Sequence, residues 1–153
     1  DAPPPAGDRL VTHMRKQIRD AVRTRLTGLP TAGARVYPSK RLSWVAAELP
    51  GLAIWTDTET VKETTMARDQ KRDVVLIVDV AATASETLED TLDQMCVEVE
   101  EAMAADPRLG GLVRDCALVG TGTDAATDGE RHIGVKRLRY ALTYDTSFGR
   151  PQG

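Results

Sequence analysis

The segment from Asp73 to Ala105 constrains the fold most, because it joins a strand that is apolar on both faces to a long amphipathic helix. One face of the strand carries Val74, Leu76, Val78 and Val80, and the other carries Val75, Ile77 and Ala81. A strand with two apolar faces is expected inside a sheet, covered on both sides.

The helix that follows carries an apolar stripe at three- and four-residue spacing. The stripe consists of Leu88, Leu92, Met95, Cys96, Val99, Ala102 and Met103. Ser85 stands where an N-cap is expected, acidic residues fill the first turns, and Pro107 stops the helix. The pattern predicts a helix that covers one face of the sheet.

The remaining segments predict an α/β (α+β) fold with two layers. A first helix is expected from Asp8 to Thr27, a short strand at Val36 and Tyr37, a hairpin with arms from Leu52 to Glu63 and from Lys71, and strands near Cys116 and from Ile133 to Tyr144. Gly120 to Glu130 is expected to be a polar loop. These elements predict a mostly antiparallel or mixed sheet of about four to five strands, with two main helices packed on one face and the other face partly exposed.

The length and charge of the chain limit its class. With 153 residues the chain fits one domain, here expected at 9–146, between a flexible arm at 1–8 and a flexible tail at 147–153. A net charge of −3 argues against a general nucleic-acid binder. No apolar run approaches the roughly 18 residues that span a bilayer, so no membrane association is expected. Cys96 and Cys116 are expected to be buried thiols, and the cytosol is the expected compartment.

Two helices of opposite charge suggest an interface. The first helix presents Arg15, Arg19 and Arg23, whereas the second presents Glu89 and Asp93. The two faces either meet within one subunit, or meet between copies, or remain solvated without meeting. The hairpin tip is a second candidate surface, because its polar residues bury little and are expected to project as a contact arm. The tip residues are Arg68, Asp69, Gln70 and Lys71.

Catalytic and metal-binding patterns are weak. The Gly120–Asp124 stretch lacks the third glycine and the lysine of phosphate loops, and neither His13 nor His132 belongs to a triad or metal motif. Asp79, the single charge inside the central strand, is either a functional acid or a partner of Arg137 or Arg139 on the exposed face of the sheet. We therefore predict no enzyme activity, no metal and no cofactor.

The order of elements resembles the tail terminator proteins of long-tailed bacteriophages, of the minor tail protein U type. The resemblance covers Leu10 to Thr146 and rests on the order and spacing of short motifs more than on invariant residues. These motifs are GARVY at 33–37, LPGLAIW at 49–55, the hairpin into VVLIVDVAA, the helix LEDTLDQMCVEVEEAM, the DPRLGGL turn at 106–112 and RLRYALTYDT at 137–146.

The resemblance implies a structural virion protein without catalysis. Such a protein forms a homo-hexameric ring on the tail tube protein, ends tube polymerisation and provides the attachment surface for head-completion or neck proteins, while DNA passes through the ring without specific binding. It implies a virion tail component assembled in the host cytoplasm. Two alternatives stay open: another neck or tail-completion protein, and a small α/β ligand-binding regulatory module.

Overall fold

The computed structural model describes residues 12–128 and 131–153, and the side chains of 125–128 and 131 are not considered. The protein has two helices and five strands; the strands form one sheet, and the helices form a layer on it. In chain order the elements are α1 (Met14–Leu26), β1 (Val36–Tyr37), β2 (Gly51–Glu63), β3 (Gln70–Thr83), α2 (Leu88–Ala104), β4 (Asp115–Asp128) and β5 (Arg131–Thr146). Short 3₁₀ turns lie at Ala46–Glu48 and Leu109–Gly111.

The strands are ordered β1-β2-β3-β5-β4 across the sheet. β1 pairs with β2 in parallel, and the other three pairings are antiparallel. The sheet is therefore mixed, as the sequence predicts. β3 is central and pairs with β5 along its whole length, from Gln70–Thr146 to Thr83–Ile133.

Both helices pack on one face of the sheet and enclose the main core. The alternating residues Val74, Leu76, Val78 and Val80 point into this core, which confirms the predicted parity of the central strand. α1 contributes Met14, Ile18, Val22 and Leu26 to the same core. The two-layer α+β arrangement is thus confirmed.

The helix starts differ from the prediction. α1 begins at Met14 with His13 as its N-cap, not at Asp8, and 1–11 lie outside the described residues. α2 begins at Leu88 with Thr87 at the N-cap position. Ser85 instead accepts a hydrogen bond from the Thr87 amide, at 3.2 Å from its hydroxyl, in the turn before the helix. Ser85 is therefore not the N-cap.

The opposite face of the sheet is partly covered by the 38–50 loop. Trp44 from this loop packs with Ala53, Ala81, Ile133 and Val135, and Tyr37 and Leu49 pack against the same cluster. Asp79 lies on this face but is only 3% exposed. The expectation that Asp79 is on an exposed surface is wrong, because loop residues stand over it.

The predicted polar loop from Gly120 is a strand. β4 continues to Asp128 and pairs with β5 from Gly120–Arg139 to Asp128–Arg131. Its residues are polar because β4 is an edge strand with much of its surface in water, so composition alone did not reveal it. Gly129 and Glu130, which the predicted loop also included, lie outside the described residues.

The distal hairpin does not project alone. Residues Gln70 and Lys71 pair with Thr146 and Asp145 of β5, so a third strand supports the hairpin almost to its tip. The 147–153 segment, expected to be a flexible tail, makes contacts with α1. The Met14 amide donates to the Pro151 carbonyl at 2.8 Å, and the Gln17 side-chain amide donates to the Gln152 carbonyl at 3.1 Å.

Candidate interface residues

Asp79 and Arg137 form a buried ion pair on the face opposite the helices. They lie directly across from each other on β3 and β5. The Nε and Nη2 atoms of Arg137 donate to the two carboxylate oxygens at 2.8 and 3.2 Å, and the Trp55 indole donates to Oδ2 at 3.1 Å. The hydrogen bond to Asp79 raises the pKa of Arg137. The predicted pairing of Asp79 with an arginine is confirmed, and a role of either residue in an interface stays a prediction.

Arg139 is only loosely held. Its Nη1 atom lies 3.7 Å from Oδ2 of Asp57, and its side chain is 48% exposed. Both distance and exposure indicate a weak, screened interaction. The Arg139 side chain is therefore available to contact another molecule, whereas the Arg137 guanidinium is held by its two hydrogen bonds to Asp79.

Two of the three candidate arginines of α1 make contacts inside the subunit. Arg15 pairs with Glu59 on β2 at 2.8 Å. Arg19 donates to the Thr56 hydroxyl at 3.2 Å. Arg23 has an exposed side chain. Of this set, Arg23 is the residue best placed to contact another molecule.

The basic and acidic helices meet within the subunit at one end. Arg25 of α1 donates to the Ala102 carbonyl and to the Asp106 carboxylate, each at 3.3 Å. Glu98 of α2 accepts from the amide and hydroxyl of Thr31 at 2.9 and 2.7 Å. Burial would raise the pKa of Glu98, but these hydrogen bonds outweigh it and the pKa is lowered.

The two predicted acidic interface residues point elsewhere. Glu89 pairs with Lys136 of β5 at 3.2 Å, across the helix–sheet boundary. Asp93 is exposed. Neither residue therefore meets α1 through an ion pair within the described residues, and their part in an interface between copies stays a prediction.

The hairpin tip is held by contacts within the subunit. Arg68 pairs with Glu63 at 2.8 Å, and its guanidinium lies 3.8 Å from the centre of the Phe148 ring. The Asp69 carboxylate accepts from the Thr65 hydroxyl at 3.1 Å. The Gln70 side-chain carbonyl accepts from Arg72, at 3.0 Å. Lys71 sits opposite Lys62 and Asp145. The tip is exposed but locally ordered, and its role as a contact arm stays a prediction.

A buried polar cluster around Glu59 was not predicted. Glu59 is only 9% exposed and accepts from Arg15 at 2.8 Å, from Arg72 at 3.1 Å and from the Tyr144 hydroxyl. Burial, followed by the hydrogen bond to Glu59, raises the pKa of Tyr144. A β-bulge between Thr56 and Glu59 brings the carboxylate beneath the helices. Without the bulge, strict alternation would place Glu59 on the opposite face, so strand parity alone misses it.

The sequence of this fold matches a known protein family. Residues 13–144 match the family described as phage minor tail protein U. The chain belongs to the phage minor tail protein U family. The match covers α1 through nearly all of β5, so the whole described fold belongs to the family domain. Comparison with curated proteins finds no match.

This member of the minor tail protein U family is therefore a structural protein of the phage tail and a component of the virion. Family membership points to a non-enzymatic role. Among the described residues, no group of three or more His, Cys, Asp or Glu side chains is placed to hold a metal ion. Within the same residues, no helix is long and apolar enough to cross a membrane.

Cys96 and Cys116 are free and buried in this tail protein. Burial raises the pKa of the Cys96 thiol to about 11 and that of the Cys116 thiol to about 12. Both thiols are therefore protonated and weakly nucleophilic at neutral pH. The prediction of buried, unpaired cysteines is confirmed.

Two strand edges of the sheet are open. Within the described residues, no strand pairs with the outer edge of β4. At the opposite end, β1 covers β2 only at Leu52 and Ala53, which leaves the outer edge of β2 open from Ile54 onward. The subunit thus presents two different lateral edges.

Proposed function

We propose that this tail protein caps the tail tube as a homo-hexameric ring, ends tube polymerisation and provides the attachment surface for head-completion or neck proteins. Membership of the minor tail protein U family over residues 13–144 carries the proposal. In this role the protein is assembled in the host cytoplasm, contacts the tail tube protein on one side of the ring, and lets DNA pass through without specific binding.

The shape of the subunit supports a ring. Closed rings need a head-to-tail contact in which one surface of a subunit meets a different surface of the next. The two open edges, at β4 and at β2, are unlike in length and sequence and lie at opposite ends of the sheet. A net charge of −3 suits a ring through which DNA slides, because it offers no basic excess for the phosphates.

The decisive experiment adds the purified protein to polymerising tail tube protein of the same phage. We expect shorter tubes with a protein cap at one end by electron microscopy, and six copies per cap by mass measurement. Unchanged tube length at excess protein would contradict the proposal. Binding to finished tails or heads without any effect on tube length would instead indicate another neck or tail-completion protein.

The hairpin tip is the proposed contact arm of the cap, and a variant tests it. Replacing 68–71 with a Gly-Ser turn removes the exposed Arg68–Glu63 pair, the stacking of Arg68 on Phe148 and the hydrogen bond from Arg72 to the Gln70 side chain. Such exposed contacts are worth about 1 kcal/mol or less each. The variant should therefore stay folded and fail to limit tube length. Normal capping by the variant would show that the hairpin tip is not a contact arm, without contradicting the proposed ring.

A further inference from the structure

An apolar groove opens beside the outer edge of β4. Its volume is about 390 Å³. Met103, Ala104 and Pro107 line one side, at the end of α2, and Cys116 and Leu118 of β4 line the other. Glu100 stands at its rim. The groove is thus an apolar surface next to an unpaired strand edge, the kind of site that receives a segment of another chain.

Tyr140 gives this groove an apolar ring. Tyr140 lines the groove and is only 3% exposed. Among the described residues, its hydroxyl has no hydrogen-bond partner. Buried hydroxyls without a partner are uncommon and unfavourable. The oxygen is itself shielded from solvent, so Tyr140 offers the groove its apolar ring and not a hydrogen-bonding group.

Leu42 is an apolar side chain without an apolar surface to cover it. It is 94% exposed in the 38–50 loop, although its neighbours are fixed. Arg41 pairs with Glu48 and stacks on Tyr37 at 4.7 Å, and Trp44 is buried. The contacts of its neighbours therefore hold the backbone at Leu42 in a defined position, with its large apolar side chain in water. Docking then orders one side chain and not a whole loop, which lowers its cost in conformational entropy.

Charge favours a pairing of these two sites. Lys40 and Arg41 precede Leu42. Glu48 balances the charge of Arg41, whereas Lys40 is exposed, has its Nζ 4.7 Å from the centre of the Trp55 ring, and supplies the net positive charge beside Leu42. The groove opens along α2, which carries six acidic residues and no Lys or Arg between Leu88 and Ala104. A basic loop is attracted to such a helix and an acidic one is repelled.

The positions of the two sites require separate copies. The loop stands over Asp79 and Arg137, on the face opposite the helices. The groove lies on the helix side of the sheet, at the β4 edge. Donor and acceptor therefore occupy different surfaces of one subunit, as a head-to-tail contact needs.

We propose that Leu42 of one copy docks into the Tyr140 groove of the next copy, with Lys40 beside the acidic face of α2. The inference rests on the proposed ring and names its subunit contact. Met66 is also fully exposed, but it belongs to the hairpin tip, beyond the level of the Gln70–Thr146 pair. That pair is six residues along β5 from Tyr140, or roughly 20 Å. In a ring whose axis runs along the strands, the two contacting sites lie at about the same height, and the 38–50 loop, which reaches Arg137, lies closer to the height of the groove.

Cross-linking tests the contact directly. Leu42→Cys places a thiol on the loop, and native Cys116 lines the groove. Oxidation of the assembled protein with diamide should link position 42 of one chain to Cys116 of the next, and peptide mass spectrometry identifies the disulfide. Burial keeps the Cys116 thiol protonated and slows this reaction, but a thiol at position 66 would react with the same slow partner. Docking should therefore raise the yield of the 42–116 link at least about tenfold above that of a 66–116 link.

Two controls keep the test specific. Met66→Cys offers an equally exposed thiol at the hairpin tip and should not link to Cys116. Adding Cys116→Ser to Leu42→Cys should abolish the product. Equal linking of the Met66→Cys variant, or linking that survives Cys116→Ser, would overturn the proposed contact.

A charge variant gives an independent readout. Leu42→Asp places a carboxylate against the acidic helix and should weaken self-association at least about tenfold by light scattering, since like charges repel and apolar burial is lost. Leu42→Met should assemble as the parent does. Neither variant should change the melting temperature of the monomer, because Leu42 is exposed in the free subunit.

The outcomes separate this inference from the ring proposal. Rings or capped tubes that form normally with Leu42→Asp, and that give no 42–116 link, would refute the contact and leave the ring standing. Leu42→Asp rings that form but no longer bind the tube would assign the loop to the tube protein and also refute the contact. A parent protein that neither self-associates nor assembles on tubes would refute both.

Discussion

Replacing Arg137 with alanine should destabilise the fold far more than replacing Arg139, although both arginines lie on the same face of β5. Asp79 is 3% exposed in the parent, and Arg137→Ala leaves its carboxylate with the Trp55 indole as its one remaining hydrogen-bond donor among the described residues. Breaking a fully buried ion pair costs about 3–5 kcal/mol. The Arg137 side chain is 22% exposed, so water partly screens the charge and we expect about 2–3 kcal/mol.

Arg139→Ala is the matched control. Its 3.7 Å interaction with Asp57 is half exposed, and its loss should change the free energy of unfolding by less than about 0.5 kcal/mol. Urea titration gives both free energies. In thermal unfolding the Arg137→Ala change corresponds to a shift of roughly 5–10 °C for a domain of this size.

A double variant separates the free energy of the ion pair from the cost of leaving the Asp79 charge unpaired. Asp79→Asn with Arg137→Ala removes the uncompensated charge, so the double variant should be more stable than Arg137→Ala alone. Equal urea midpoints for Arg137→Ala and Arg139→Ala would refute this prediction, since Asp79 would then not depend on its partner.

Three further predictions concern other sites. Glu59→Gln removes the charge that Arg15 and Arg72 share, and should lower the free energy of unfolding by about 2–3 kcal/mol in urea titration, whereas an unchanged midpoint would exclude an energetic role for the cluster. His13 caps α1 through Nδ1, and burial, followed by Arg15, lowers its pKa below the usual 6.5. The unfolded chain then binds more protons than the folded one, so the contribution of His13 to stability is present above pH 6.5 and is lost as the pH falls through the lowered pKa. His13→Asp supplies a cap that does not titrate in this range, so the melting temperature of this variant should depend less on pH there. Parallel curves of melting temperature against pH for the variant and the parent would contradict this role of His13. Arg23→Glu should leave the melting temperature within a degree or two of the parent, and a change in ring formation at low salt would place this exposed arginine in an interface between copies.

The parts of the fold that follow from local pattern were predictable from the sequence. The alternation of Val74, Leu76, Val78 and Val80 and the stripe of α2 each fix which face is buried, so the central strand, the main helix and their contact follow from spacing alone. The same parity placed Asp79 opposite the helices, where it meets Arg137. A uniform pattern needs no knowledge of the neighbouring strands.

The parts that depend on distant pairing were not predictable. Gly120 to Asp128 has the composition of a loop and becomes a strand only because β5 supplies its hydrogen bonds. Glu59 changes face because a two-residue bulge opposite Val75 shifts the register, and the Asp57-Thr58 sequence gives no sign of it. The cover over Asp79 likewise comes from a loop whose path is set by the burial of Trp44.

The same kind of unpredictability applies to the groove at Tyr140. Its walls come from the end of α2 and from β4, and its floor comes from β5. The sequence of any one of these segments does not indicate the groove, because the groove forms only where all three pack together. Leu42, by contrast, lies in the 38–50 loop, whose apolar residues show no strand or helix spacing, and its exposure is visible only after Trp44 is placed in the second cluster.

The strand order has a consequence for how the protein is made. β5 is the last strand along the sequence, yet it lies between β3 and β4 and pairs with both. While the ribosome is still synthesising β5, β3 has only the β2 hairpin as a neighbour and β4 has no strand to pair with. Contacts between residues that are about 50–76 positions apart, from the Thr83–Ile133 pair to the Gln70–Thr146 pair, must then form together, which slows folding. A nascent chain thus exposes the apolar central strand until synthesis passes Thr146, so premature termination within β5 should yield aggregates and not a smaller folded domain.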